Sequence, residues 1–368
     1  MIDLPHWKIS RNTQRRNRME NFDPLSQTNQ TMNRRAFLKY SGLLGLGLTS
    51  AGILPATAEA VKFNKETYKV SETRSAMGTY VSMTLFHASR DKAEEAMGRA
   101  HEEIDRLTGL MNRFDHATAV AQLNHEGYLS DVPPEVIQVV AGALEYYRIS
   151  HGTFDISVKP VIDLFKKNFA DNASLMPDNR ELNKALDLVG SDKIELNGRT
   201  IRLKKPGAGI TLDGIAKGYI VDRASKVLAD HQIKDHLINA GGDIRTSGAS
   251  RDKKPWTVAI EDPQKKKQYP DIIHMTDGAI ATSGNYEIYF DREKMFHHIV
   301  NPSTGMSPDL SESVSVLADT AMNADALSTS VFVMKPAAGV QFIGTLPGCE
   351  CLVMSRTGKI FKSSGWKS

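Results

Sequence analysis

Strand-like and helix-like segments interleave along this sequence, but they never settle into the steady strand–helix–strand beat that a parallel sheet requires. Residues 80–86, within 70–86, alternate in polarity and read as a strand. Ala96, Ala100, Ile104, Leu107 and Met111 recur at three- and four-residue steps, which predicts a helix over 92–111. Pro133-Pro134 opens another over 135–150, and Gly152 stops it. Further helices are predicted over 178–189, 215–230 and 324–334. Residues 194–196 and 200–203 flank Asn197-Gly198, the strongest short hairpin signal. Strands are expected at 236–239, 256–261, 280–282 and 314–317, and a last hairpin around Gly358 pairs 352–354 with 359–361. Hairpins without a regular crossover favour an α+β fold, with mixed or antiparallel sheets and packed helices.

The 368 residues, 40% of them hydrophobic, are enough for one large core or two modest ones. Two cysteines exclude a disulfide-stapled miniprotein. A single apolar run, SGLLGLGLTSAGILP at 41–55, approaches a membrane span and falls short of the ~20 residues one needs. Asn33-Arg34-Arg35-Ala36-Phe37-Leu38-Lys39 precedes it and Ala56-Thr57-Ala58-Glu59-Ala60 follows. Charged, apolar and small-residue regions in that order predict a secretory signal cut near Ala58–Ala60. The arginine pair resembles a twin-arginine signal, so the export machinery for folded proteins is the expected partner and the periplasm the expected location. An uncut membrane anchor is the less favoured alternative. Met32 offers a second possible start. Residues 1–60 are thus set aside as extension and signal, and 61–368 as the working body, in one unit or two lobes.

Residues 1–60 carry eight Lys/Arg against four Asp/Glu, a net of +4 within a whole-chain +3, which leaves the body at −1. A nearly neutral body has no electrostatic footprint for nucleic acid. Lys265-Lys266-Lys267, between Pro263 and Pro270, reads as a solvated loop tip. Cys349 and Cys351 are too closely spaced for a relaxed disulfide and read as small apolar residues of a terminal strand. No Cys follows the signal to carry a lipid.

Five polar stretches carry candidate chemistry. Residues 211–219, TLDGIAKGY, enter a helix whose first turn bears Lys217, so free N–H groups and an ammonium make an anion site. Asn239-Ala240-Gly241-Gly242-Asp243 lets backbone approach a ligand closely, or is a plain tight turn. The two hydroxyls of Thr282 and Ser283, just before Gly284 at a strand end, can donate to phosphate oxygens, and Asn285 and Tyr286 could orient a ring. His298, in the run 297–305, can move a proton at neutral pH. Asp325 and Thr329, four apart on a helix, share a face and make the sparse oxygen set typical of Mg²⁺, which phosphate oxygens complete. Together these suggest a Mg²⁺-assisted phosphate site. A flavin or nucleotide carrier without chemistry and an exported solute-binding protein stay open at this level.

Met77-Gly78-Thr79, Gly152-Thr153-Phe154-Asp155, Asp213–Tyr219, Asn239–Asp243, Ala281–Gly284, His298–Gly305 and Ala324–Thr329 resemble, in the same order, the motifs of the FAD:protein FMN transferase, or ApbE, family. The resemblance covers roughly residues 70–363; one such motif is weak, but seven in order are specific. It implies an ApbE-like, T-fold-like architecture, FAD as substrate and Mg²⁺ as cofactor. It also implies transfer of FMN to a Thr or Ser hydroxyl of an acceptor protein, such as a redox-pump subunit, with a phosphoester formed and AMP released. By the same resemblance Asp325 and Thr329 are side-chain ligands of Mg²⁺, and Gly214 supplies a backbone carbonyl. Lys217, Met77, Thr153, Phe154 and Asp155 would contact FAD, His298 and Ile299 would lie beside its flavin end, and Phe114 near its adenine. Thr211 stands where many members carry Asp, and Asp213 would take over that role. His298 is the preferred general base, with Asp243 the alternative and Lys217 assisting. Some members hydrolyse FAD to FMN and AMP instead; Phe114 packed on adenine would favour transfer.

Overall fold

Nine strands pair edge to edge in the order in which they occur along the chain. They are β1 (Glu59–Lys62), β2 (Tyr68–Ala76), β3 (Thr79–His87), β4 (Asp235–Ala240), β5 (Asp243–Ser247), β6 (Gly278–Gly284), β7 (Ser311–Ala318), β8 (Glu350–Ser355) and β9 (Ile360–Lys362). Every neighbouring pair is antiparallel. This computed structural model describes residues 32–33, 59–62, 67–171, 176–263, 268–285, 297 and 299–367, which all fall in one compact unit. The apolar run at 41–55, Lys265–Lys267, Tyr286 and His298 lie outside the described residues. Among the described residues no helix is long and apolar enough to cross a membrane. Edge strand β1 begins at Glu59, so the expected cut near Ala58–Ala60 falls at its start.

Two connections in the sheet are two-residue turns with positive φ, as right-twisted hairpins require. Met77 and Gly78 (φ 53° and 72°) join β2 to β3, and Gly241 and Gly242 (φ 60° and 102°) join β4 to β5. Because Val81 pairs with Ala240, both turns sit at the same end of the sheet. The long connections carry the rest of the fold. Between β3 and β4 come α1 (Arg90–Met111), α2 (Ala119–Glu126), α3 (Pro134–Ile149), α4 (Lys159–Asp171), α5 (Asn179–Leu186) and α6 (Ala216–Asp230), with a small antiparallel sheet of Tyr128–Leu129, Ile194–Asn197 and Thr200–Leu203. A hairpin of Trp256–Ile260 and Asp271–Met275 lies between β5 and β6. Between β7 and β8 come α7 (Ala321–Val333) and α8 (Pro336–Ile343).

Strand alternation divides the core between the two sheet faces. Val81, Met83, Leu85, Ile238 and Ala281 pack with Ile104, Leu107, Ile220 and Ala324 of α1, α6 and α7. Phe86, Leu237, Ile244, Ile280 and Leu352 point the other way, onto Trp256, Val258 and Ile273 of the hairpin and onto Trp366. Cys351 is a buried core residue of β8, and Cys349 precedes the strand, partly buried. Helix α1 starts where the Ser89 hydroxyl accepts the Lys92 N–H, and its buried stripe repeats at three- and four-residue steps from Ala93 to Met111. Helix α7 is buried on nearly every side, which a helix sandwiched between a sheet and other helices must be.

Candidate active site

The end of the sheet that carries both tight turns opens into a cleft of about 1090 Å³. Ordinary small-molecule sites reach roughly 1,000 Å³, so this one suits a ligand of dinucleotide size. The two turns touch: a Cβ on Gly241 would fall 2.5 Å from Thr79 Oγ1, at a φ that already favours glycine. Asn239 Oδ1 accepts the Gly242 N–H at 3.0 Å and holds the turn from within.

The floor of the cleft is the meeting of α6 and α7. A Cβ on Gly218 would lie 2.3 Å from the Ala321 carbonyl oxygen, so the two backbones approach as only glycine permits. At that point the Gly218 N–H donates to Asp325 Oδ2 at 3.1 Å, and Asp325 is buried. A Cβ on Gly214 would lie 3.0 Å from Thr329 Oγ1, which sets the Gly214 backbone beside that hydroxyl. From the sheet side Ser283 Oγ reaches Thr329 Oγ1 at 3.3 Å and Ser328 Oγ at 2.8 Å. Thr282 is tied to Ser315 at 2.8 Å. The corner therefore sets the Asp325 carboxylate and the Thr329 hydroxyl beside the Gly214 backbone, oxygen donors of the kind a hard cation takes. Among the described residues no three His, Cys, Asp or Glu cluster to hold a metal, so ligand or water oxygens would have to complete the shell. Lys217 Nζ stands 3.6 Å from Asp243 Oδ2, a carboxylate almost wholly out of solvent.

A second region of the cleft, at the exposed Phe114 ring, is cationic and forms its mouth. Arg113, itself nearly buried, donates to Asp213 Oδ2 at 3.0 and 3.3 Å and lies 3.8 Å from Asp163. Its guanidinium sits 4.3 Å from the centroid of the exposed Phe114 ring, and Lys166 Nζ sits 4.7 Å from it. Burial, followed by the Arg113 charge, pushes the Lys166 ammonium below the ordinary lysine range. Neither cation was singled out from the sequence. Arg113 had a signal, its position beside Phe114; Lys166 lies on α4, a helix the periodicity did not mark.

The cleft brings together most of the residues picked out above. Met77, Phe114, Thr153, Phe154, Asp155, Thr211, Asp213, Gly214, Lys217, Asp243, Thr282, Ser283, Ile299, Asp325 and Thr329 all line it. Gly284 does not; it is buried in the ladder opposite Ser313. His298 lies outside the described residues, while its neighbour His297 is turned inward, 3.0 Å from the Pro308 carbonyl and edge-on to Phe332. Several lining side chains are also braces. Asp155 accepts from the N–H and hydroxyl groups of both Ser157 and Ser191, at 2.6–3.2 Å. Burial nonetheless raises its pKa. Thr153 donates to the Ser150 carbonyl at 3.1 Å, and Thr211 Oγ1 accepts the Asp213 N–H at 3.4 Å. Phe154 packs edge-on against Tyr146.

An antiparallel meander with an oxygen-lined cleft at its turn end marks an α+β protein whose site is of dinucleotide size. Residues 77–353 match the ApbE family, and the chain belongs to it. An FAD:protein FMN transferase of Vibrio cholerae is 32% identical over 212 residues, 57% of this chain and 64% of that one. One of Haemophilus influenzae is 29% identical over 73% of this chain and 82% of its own. Among solved structures, the ApbE protein of Thermotoga maritima superposes with a TM-score of 0.73 at 28% identity, covering 80% of this chain and 97% of that one. The flavin transferase ApbE of Vibrio cholerae gives 0.69 at 26%, covering 84% and 98%.

Proposed function

We propose that this cleft binds FAD and transfers its FMN moiety to a Thr or Ser hydroxyl of an acceptor protein, with Mg²⁺ held at the corner of Asp325, Thr329 and the Gly214 carbonyl. The observation that carries the reading is the convergence of that corner with Lys217 and Asp243 in one dinucleotide-sized cleft. The corner's donors fit the ion: all are oxygens, one is a nearly buried carboxylate, and they are too few to complete a shell without ligand phosphates. When bound, Mg²⁺ would withdraw charge from the phosphoanhydride and make its phosphorus a better electrophile.

The chain's own residues do the rest. Lys217, at the first turn of α6, places its ammonium and nearby N–H groups against phosphate oxygens. Phe114 and the mouth cations receive the adenylate half. The acceptor oxygen bonds to the FMN phosphorus as the anhydride P–O bond breaks, and AMP leaves with the bonding pair. The acceptor proton passes to Asp243 or His298. Asp243 stands in the cleft beside Lys217, whose charge stabilises the carboxylate before it takes the proton. With water in place of the acceptor the same step would hydrolyse FAD to FMN and AMP. We read the chain as an exported enzyme carried by a twin-arginine signal to the periplasm, where an exported or membrane-facing redox subunit would be the acceptor.

Incubating the protein with FAD, Mg²⁺ and a Thr-bearing acceptor tests this by intact mass and AMP release. A gain equal to FMN on the acceptor, lost on adding chelator, is the expected result. AMP released at the same rate without acceptor would favour hydrolysis, and bound FAD with no AMP at all would favour a carrier.

A further inference from the structure

We infer that Asp222 is a positioning residue for the cation corner, acting through the backbone of α7. The inference rests on the Mg²⁺ reading above. Contacts of α6 and the turn that leads into it with α7 form a ladder with four-residue spacing on both sides, running in opposite directions. At the first rung Asp222 Oδ1 accepts the Ala321 N–H and Oδ2 the Met322 N–H, each at 2.9 Å. At the second, Gly218 meets the Ala321 carbonyl and its N–H donates to Asp325 Oδ2. At the third, Gly214 meets Thr329. Positions 222, 218 and 214 thus face 321, 325 and 329 in turn.

A carboxylate at a helix start favours the positive end of the helix dipole and satisfies N–H groups that have no intrahelical partner. Here it does so from a neighbouring helix, so it also fixes where α7 begins. The helix has its own cap, the Thr320 hydroxyl, which accepts the Asn323 N–H at 3.2 Å. Asp222 is therefore not needed merely to start a helix. Its distinct contribution is registration: it locks Ala321 against α6, and Asp325 and Thr329 follow on the same face. Arg245 Nε, 3.9 Å from Asp222 Oδ1, steadies the carboxylate from β5. A shift of the first rung would pull Asp325 away from the Gly218 N–H and open the gap between Thr329 and Gly214.

The test is Mn²⁺ binding to the full-length protein with FAD bound, read by the electron paramagnetic resonance of free Mn²⁺, alongside the melting temperature of each variant. Asp222→Asn cannot accept both N–H groups, and its Mn²⁺ dissociation constant should rise about tenfold, the equivalent of one charge-assisted hydrogen bond. Asp325→Asn should bind far more weakly still. A lowered melting temperature with an unchanged Mn²⁺ constant in Asp222→Asn would make the residue a stabiliser only and overturn the inference. Absence of Mn²⁺ binding in the wild type, or full binding by Asp325→Asn, would overturn the metal reading itself. Asp222→Ser, which keeps one acceptor, carries the same measurement if the Asn variant does not yield folded protein.

Discussion

Two regions of the cleft, the corner at Asp325 and the mouth at Phe114, are built on opposite principles. The corner at Asp325 is made of backbone: two glycines beside it, Gly214 and Gly218, stand where a Cβ would come within 3.0 Å of a neighbour. Its carboxylate is 5% exposed and is addressed by a main-chain N–H. The mouth at Phe114 is made of side chains: the ring is 67% exposed, and Arg113, Lys166 and Asp213 are arranged around it by charge. Packed backbone cannot yield without moving an element, whereas exposed side chains can adjust singly. The corner is thus suited to set the geometry of the reacting phosphorus, and the mouth to set how tightly the nucleotide is held. Changes at the corner should act on kcat and changes at the mouth on KM for FAD.

Asp325→Ala should produce the largest effect. Removing a group that supports transition-state charge costs on the order of 10²- to 10³-fold in rate, and acceptor flavinylation should fall by that much while circular dichroism reports a folded chain. Normal transfer by this variant would erase the distinction between the two regions. Gly214→Ala comes next. Its Cβ would press on Thr329 Oγ1 and Cγ2 at 3.0 and 3.2 Å, close enough to displace the hydroxyl but not to unfold the chain. Misplacement by a fraction of an ångström should cost about tenfold in kcat and leave FAD binding in place. A change confined to KM for FAD would mean that this glycine belongs functionally to the mouth.

The same contrast decides what could be read without coordinates. Asp325 and Thr329 are legible because a helix puts residues four apart on one face, and the Asn197-Gly198 hairpin is legible because its turn chemistry is local. Strand β5, with the sequence DIRTS, has no apolar alternation; it is a strand because β4 and β6 pair with it on either side. Helix α4 begins at Lys159-Pro160, which looks like a break, and its Val161, Ile162 and Phe165 find their partners Ala185 and Val189 only in the folded chain. The Arg113–Asp213 contact spans 100 residues of sequence and has no local signature. A spacing that could have been noticed is Gly214, Gly218 and Asp222 at steps of four, one side of the ladder, running from the turn before α6 into it. What it cannot say alone is which helix it faces.

The smallest expected effect lies at the mouth and sharpens the contrast through pH. Lys166 lines the cleft over the Phe114 ring, and burial together with Arg113 holds its ammonium below the ordinary lysine range. If it steadies the anionic nucleotide, its contribution is present while it is protonated and is lost as pH rises through that lowered pKa. FAD affinity in the wild type should therefore weaken at an alkaline pH below where an unperturbed lysine would titrate. Lys166→Met should raise KM for FAD about three- to tenfold at neutral pH, the scale of one charge-assisted contact, and should flatten the alkaline limb. The value of kcat should change little in either case, because the corner is untouched. An alkaline loss of kcat that Lys166→Met removes would place this lysine with the reacting phosphorus, and the division between a backbone-built corner and a side-chain-built mouth would fail there.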